Sequence, residues 1–471
     1  MTARTRTLWT FAITSIALFM VSLDNLVVTT ALPVIRTDLD ASLTDLEWTV
    51  NAYTLTFAVF LLTGAALGDR FGRRRMFSIG LTIFTLGSVA AALAPTVDAL
   101  NAARAVQGLG GALVMPLTLT LLSAAVSPEK RGLALGAWGG IGGLAIAFGP
   151  LVGGAVVEGI AWQWIFWLNV PIGIVLVPLA LRRLTESHGA GGRLDLPGVA
   201  LASAGLFGIV WGLVRANELG WGSPEIVGSL VLGALLVAAF VAWELRAEAP
   251  MLPMGFFRSA TFSLANLSSL LMFFGMFGSI FLLAQFFQTV QGYSPLGAGL
   301  RILPWTLAPM FIAPVAGALS DRIPPKLIIG TGLAMQSIAL AWIGLVSTPT
   351  VPYSSLIAPF IVAGVGMALF FAPVANVVLS AVRPEQEGQA SGANNAIREL
   401  GGVFGVAVLA AVFAHVGGYE TKEAFSDGMN TAVLVGAAVV AVGAVAAFAI
   451  PGSRRSERVP ALDRDGLAEA A

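Results

Sequence analysis

Apolar residues along this chain fall into long blocks of about 20, bounded by charges, by Pro and Gly, or by Trp. At 1.5 Å of rise per residue, a helix of that length crosses a hydrocarbon core about 30 Å thick. Fourteen spans are predicted, near residues 10–35, 48–68, 77–95, 99–125, 133–156, 164–182, 197–214, 225–244, 261–287, 297–318, 327–346, 354–381, 394–416 and 429–450. The pair at 197–244 is the least sharply bounded, split by Arg215, Glu218, Trp221, Gly222 and Pro224. The pattern predicts an all-α polytopic membrane protein.

Composition agrees and narrows the function. Of the 471 residues 57% are hydrophobic and 11% charged, with a mean hydropathy of +0.85, against roughly a quarter charged in soluble domains. The 26 basic and 26 acidic side chains leave no basic excess for nucleic acid. With no cysteine there is no disulfide, thiolate metal site or cysteine nucleophile. The 54 glycines and 24 prolines suit a bilayer, where neighbouring helices satisfy the backbone groups that such residues free.

Lysine and arginine then orient the spans, because positively charged loops stay cytoplasmic. With both termini inside, 21 of the 26 basic residues lie in cytoplasmic segments, notably Arg70, Arg73, Arg74, Arg75, Arg182 and Arg183. Outer loops hold Arg36, Arg215 and Lys422, while Arg104 and Arg301 fall within spans. The asymmetry predicts an even number of spans. Arg4 and Arg6 before an apolar run mimic a signal peptide, but the run is too long and contains Asp24.

An internal repeat divides the chain. SPEKRGLALGA from Ser127 echoes RPEQEGQASGA from Arg383 at an offset of 256, and AALGDRFGRR from Ala65 echoes GALSDRIPPK from Gly317 at an offset of 252. Eight spans separate each pair. Parallel six-helix halves with two helices inserted between them give that spacing, and such halves in transporters bind substrate between them near the midplane. The predicted partition is 1–184 for the first six spans, 185–250 for two inserted spans, 251–450 for the second six, and 451–471 as a disordered cytoplasmic tail whose Arg454, Arg455, Arg458 and Arg464 can touch anionic lipid.

The energy source follows by elimination. A P-loop needs Gly-Lys-Ser/Thr, whereas Lys130, Lys326 and Lys422 follow Glu129, Pro325 and Thr421. No nucleotide and no cofactor is expected, which leaves an ion gradient. One proton crossing 100 mV releases roughly 2.3 kcal/mol, and a pH unit adds about 1.4 kcal/mol.

Ion coupling needs an ionisable group inside the membrane. Asp24, about 13 residues into span 1, is the clearest. Its predicted partner is Arg104: Asp24 stands about 20 Å above the inner face, and Arg104 about 7 Å below the outer face of the 30 Å core, so their depths agree. Glu399, about one turn into span 13 on the inner side, is a weaker candidate, competing with a plain helix-start acid. Arg301 and Glu225 lie near span ends and read as interface residues, and His188 and His415 read as solvated, with no metal-ligand spacing.

Several motifs resemble the major facilitator superfamily. Ala65 to Arg75, AALGDRFGRRR, is similar to its motif between helices 2 and 3, which implies an inner gate made by Asp69, Arg70, Gly72 and Arg73; Ala65 stands where the family has Gly. Physically, Gly72 permits a tight turn and Asp69 accepts hydrogen bonds from arginines or a helix terminus. LNAARAVQGLGGA from Leu100 resembles the helix 4 motif whose arginine, here Arg104, is implicated in proton transfer. Gly149, Pro150, Gly153 and Gly154 resemble the helix 5 antiporter motif, with Ala145 in place of its leading Gly. The glycines allow close backbone approach and Pro150 kinks the helix.

LDNLVVTTALP from Leu23, WQWIFWLNVPIG from Trp162 and QGYSPLGAGLRILP from Gln291 resemble the fourteen-helix drug:proton antiporter branch, the EmrB/QacA-like group, with Gln163 replacing a more usual Arg and Glu399 a more usual Gln. The resemblance covers the chain up to about residue 450. It implies a major facilitator fold arranged 6+2+6 with both termini cytoplasmic. It also implies a multi-pass protein of the cytoplasmic membrane, acting as a monomer, that exchanges protons for amphipathic small molecules.

Two alternatives stand beside export. The first is a proton-coupled importer on the same fold, against which the Gly149–Gly154 motif counts. The second is a membrane enzyme or a subunit of a larger complex, against which count the lack of HExxH, of cysteine and of a relay of buried Lys, Glu and His. The two inserted spans carry no evident chemistry.

Overall fold

The computed structural model describes residues 3–126, 128–188, 195–320, 323–383 and 386–451. Ser127, Arg193, Asp321, Arg322, Pro384, Glu385 and the tail from 452 to 471 lie outside the described residues. Described secondary structure is helical: α1 (Ala3–Asp38), α2 (Leu43–Phe71), α3 (Arg73–Ala92), α4 (Val97–Ala125), α5 (Pro128–Gly159), α6 (Trp164–Trp167), α7 (Asn169–Arg183), α8 (Leu196–Leu219), α9 (Pro224–Glu244), α10 (Ala260–Gln285), α11 (Pro295–Ser320), α12 (Pro325–Val346), α13 (Ser354–Ser380), α14 (Glu387–Val416) and α15 (Lys422–Phe448). Eleven of these helical stretches, with α6 and α7 making one between them, are long and apolar enough to cross a membrane; α2 is a twelfth when its arms, Leu43–Leu61 and Thr63–Phe71, are taken together across a 50° bend.

Local chemistry starts the helices where water or headgroups are near. Ser42 and Asp45 form a capping box on α2, and Thr96, Ser223 and Thr421 cap α4, α9 and α15 through their side chains. Prolines lie inside α1, α4, α5, α7 and α13, tolerated because neighbouring helices take up the freed groups.

Several helices begin before their hydropathy blocks, among them α1, α5 and α15, and two of the earlier starts bear on a candidate or buried acid. α2 begins at Leu43 rather than near 48, so Glu47 lies within the helix and is buried. α14 begins at Glu387 rather than near 394, because its first turns, EGQASGANN, are helical but polar. Glu399 therefore sits about three turns into its helix at 3.6 residues per turn.

Packing repeats itself. α1 packs on α5, α2 and α3 on α4, and α3 on α7; in the same pattern α10 packs on α14, α11 and α12 on α13, and α12 on α15. The two groups meet where α5 packs on α11 and α2 on α14, again a matching pair. α8 and α9 pack together, and α8 lies against both α2 and α14 at that seam.

The groups are tied on the face opposite the described N-terminal end. Gln288 donates to the Thr30 carbonyl at 2.9 Å, the Leu296 amide donates to Glu158 at 3.1 Å, and the Arg36 guanidinium lies 3.5 Å over the Tyr419 ring. Aromatic residues thicken this closure: Phe287 touches Tyr293, Tyr353 and Phe360, and Phe413 and Tyr419 pack on Phe425.

Candidate functional site

Asp24 and Arg104 meet. Both are essentially without exposure, and they form an ion pair between Asp24 Oδ2 and Arg104 Nη1. α1 presents the carboxylate and α4 the guanidinium, and three more helices complete the shell. Asn169 at the start of α7 donates to Asp24 Oδ1 at 2.7 Å, and Gln107, one turn beyond Arg104, donates to the same oxygen at 3.3 Å. Ser88 of α3 accepts from Gln107 at 2.7 Å and from Asn169 at 3.3 Å, which aims both amides. On the other side Arg104 donates through Nε to the Thr49 carbonyl of α2 at 3.2 Å, and its guanidinium faces the Tyr53 ring at 4.3 Å.

This arrangement suits a carboxylate specifically. Every contact on Asp24 is a donor, so a proton on it would displace one of them. Nη2 of Arg104 has no partner, so its charge is balanced largely by this one acid. Such a buried pair is strongly interdependent, because losing one partner strands the other charge. Protonation of Asp24 is therefore an event that Arg104, and with it the packing of α1 on α4, would register.

Glu399 is half-buried on α14, and its Oε2 has no hydrogen-bond partner. Arg398 turns away to Asn395 at 3.2 Å and to the rings of Phe273 at 4.4 Å and Phe371 at 5.2 Å. The same stretch of α14 abuts the first helix group: Ala396 shares a buried apolar cluster with Met20, Val21 and Tyr53, and Val403 one with Leu55 and Val59. Among the described residues no ion pair joins Glu399 to Arg104.

At the α2–α3 turn, Gly72 adopts φ 102°, a left-handed conformation that glycine alone takes without strain. Asp69 accepts from Arg73 Nε at 2.7 Å, and Arg70 lies over the Phe71 ring at 5.3 Å. The turn is stapled to the segment after α7: the Arg74 amide donates to Glu186 at 2.9 Å and the Arg73 amide to the Ser187 carbonyl at 2.9 Å. Asp69 thus engages an arginine of its own turn, and its side chain is 37% exposed.

The glycines of α5 serve two neighbours. A Cβ on Gly149 would clash with Leu26 and one on Gly153 with the Val27 carbonyl, both on α1; one on Gly154 would clash with Leu296 of α11. Pro150 contributes its carbonyl to the close approach of Gly299.

Sequence reasoning missed Gln107, Asn169 and Ser88, which are neutral and carry no charge signal, although Asn169 does interrupt an apolar block. It also missed Glu47, whose buried Oε2 lacks a partner.

The whole chain can be compared with known proteins. The family model of the Major Facilitator Superfamily matches residues 14–406, and 265–466 in a second alignment. The chain is 36% identical to the multidrug resistance protein Stp of Mycobacterium tuberculosis (strain CDC 1551 / Oshkosh) over 86% of this chain and 76% of that one. It is 34% identical to the tetracenomycin C resistance and export protein of Streptomyces glaucescens over 85% and 74%. Among solved structures, a POT family transporter in complex with a thioalcohol-conjugated peptide aligns with a TM-score of 0.70 at 15% identity, over 94% of this chain and 95% of that one. A bacterial homologue of the human lysosomal transporter Spinster, in an inward-facing and unoccupied conformation, aligns at 0.66 and 17% identity, over 94% and 96%. Membrane-length helices in a repeated packing pattern, a buried acid–arginine pair and a family match across most of the length have one common explanation: the chain is a multi-pass membrane transporter belonging to the Major Facilitator Superfamily.

Proposed function

We propose that the protein is a proton-coupled antiporter that exports amphipathic small molecules, antibiotics among them, across the cytoplasmic membrane. The observation that carries the reading is the Asp24–Arg104 pair, an ion pair sealed among five helices. Relatives named for multidrug resistance and for tetracenomycin C export supply the direction and the substrate class.

In this reading α1–α7 and α10–α15 are the two six-span halves, α8 and α9 the inserted pair, and α5 and α11, at 32 and 26 residues, bring the spans to fourteen. Both termini are cytoplasmic, and one chain is the working unit because it contains both halves of the cleft. The closed face is then extracellular, and the cleft between the halves is reached from the cytoplasm.

Each residue has a task. Asp24 takes a proton when the outer face opens. That neutralises the partner of Arg104, which then relies on Gln107, Thr49 and the Tyr53 ring. Asn169 and Gln107 hold the carboxylate, and Glu399 is a second, half-buried acid on the inner side. Asp69, Arg70, Gly72 and Arg73 form the inner gate, and Gly149, Pro150, Gly153 and Gly154 form the sliding surface of α5. Loss of the proton inward resets the pair, and rocking of one half on the other carries substrate outward.

The test is a proteoliposome assay with an inward proton gradient and an internal pH dye, in which lipophilic cations, neutral antibiotics and weak acids are added to wild type and to Asp24→Asn. Substrate-evoked proton flux should appear for at least one class and be lost in Asp24→Asn. Undiminished flux in that variant would overturn the assignment of Asp24.

A further inference from the structure

Two carboxylates face one another where α8 begins and α9 ends. Asp195 caps α8, and its Oδ1 accepts from the Gly198 amide at 2.8 Å and from the Trp243 indole at 2.7 Å. Glu244, the last residue of α9, is 3% exposed and accepts the Leu252 amide on Oε2 at 3.0 Å. The remaining oxygen of each, Asp195 Oδ2 and Glu244 Oε1, is buried without a donor. Both crowd a single point, for a Cβ on Gly198 would collide with each of them.

Ionised carboxylates are acceptors only, so two of them turned together leave both oxygens orphaned. A single proton satisfies both at once, one carboxyl donating to its neighbour. Asp195 is the charged member. Burial pushes its carboxyl up, but the Gly198 amide and the Trp243 indole that donate to it, with Glu244 and the Met251 backbone beside it, hold it below the usual aspartate range. Glu244, more deeply buried, carries the proton.

The pair closes a strap. Residues 245–253 leave α9 and cross to α2, where Thr63 donates its hydroxyl to the Met251 sulfur at 3.6 Å. Thr63 opens the second arm of α2, just past the 50° bend, and that arm ends in Asp69, Arg70 and the Gly72 turn. Charged residues around the pair are few: Arg246 and Glu248 on the strap are exposed, and the facing stretch of α2 from Thr63 to Gly68 has none.

We propose that Asp195 and Glu244 share one proton, and that this acid pair is a pH-released clasp by which the α8–α9 hairpin holds the strap against the bend of α2. The sign follows from the chemistry. The clasp is shut while the proton is bound; as pH rises and the proton leaves, two anions repel, the Leu252 contact loosens and the second arm of α2 is freed. The hairpin is then a sensor for pH on the side of the gate motif.

The absence of native cysteine makes the test direct. Spin labels on Leu67→Cys and Ala249→Cys, in the full chain in lipid nanodiscs, report the strap-to-α2 distance across a mildly acidic to alkaline series. We expect one short-distance population at acidic pH that is lost at alkaline pH. Glu244→Gln should keep the short population throughout, because its amide donates to Asp195 without titrating. Asp195→Asn, whose amide donates to Glu244, should do the same and carries the comparison if Glu244→Gln does not fold. A wild-type distance that ignores pH, or variants that respond as wild type does, would overturn the clasp. So would loss of the response in Asp24→Asn, which would trace it to the Asp24 site instead.

Discussion

Arg104 has no exposure, and Asp24 is the one acid that touches it among the described residues. Removing either charge should therefore do more than delete a contact. Arg104→Met is expected to lower stability by about 3–5 kcal/mol, the cost of stranding a buried charge. Adding Asp24→Asn to it should recover part of the loss, so that a double-mutant cycle followed by thermal unfolding of the purified protein reads a coupling beyond additivity; purely additive losses would mean the pair is not coupled. Asn169→Ala removes a donor to a charged group and should cost about 1.5–3 kcal/mol in the same assay. The pair itself was legible, because a charge inside an apolar block is conspicuous and depth along two helices is simple arithmetic. Gln107, Asn169 and Ser88 were not, since a neutral polar residue in a span is ordinarily satisfied by its own helix. Glu47 was hidden by a capping box: the charged first turn of α2 reads as the membrane surface, yet packing buries its fifth residue.

At the scale of elements, α5 separates two roles that its motif runs together. Gly149 and Gly153 lie against α1, within one helix group, while Gly154 lies against α11, across the seam. Gly153→Ala is thus expected to destabilise the fold, and Gly154→Ala to leave stability nearer wild type but push the closed face apart. A cysteine introduced at Val34 of α1 should then be labelled faster by a membrane-impermeant maleimide in Gly154→Ala than in the otherwise wild-type chain. Equal rates would mean that this crossing does not govern closure. The α8–α9 hairpin shows how much the sequence left open. Its two apolar blocks were readable, but they carry no intramembrane charge, and only packing puts α8 on the α2–α14 seam and brings Asp195 and Glu244 together from positions 49 apart in sequence.

For the whole molecule, the proposed topology makes a prediction that needs no substrate. Reporter fusions at the two ends should both be active in the cytoplasm, and a reporter inserted after Gly220 should be active outside; ends on opposite sides would mean an odd number of spans. The class of protein and the superfamily were settled by the sequence, which also predicted a repeat with a two-helix insertion. These rest on apolar run length, residue spacing and motif identity, which are local or linear properties of the chain. Only the tertiary structure decided which polar groups meet: Asp24 with an arginine 80 positions away and an asparagine 145 away, Arg36 over Tyr419, two acids around one proton. The physical reason is that a spanning helix satisfies its own backbone whichever neighbour it packs against, so composition can make it a span. Its partners and its rotation are set by small-residue contacts and rare polar bonds between helices distant in sequence.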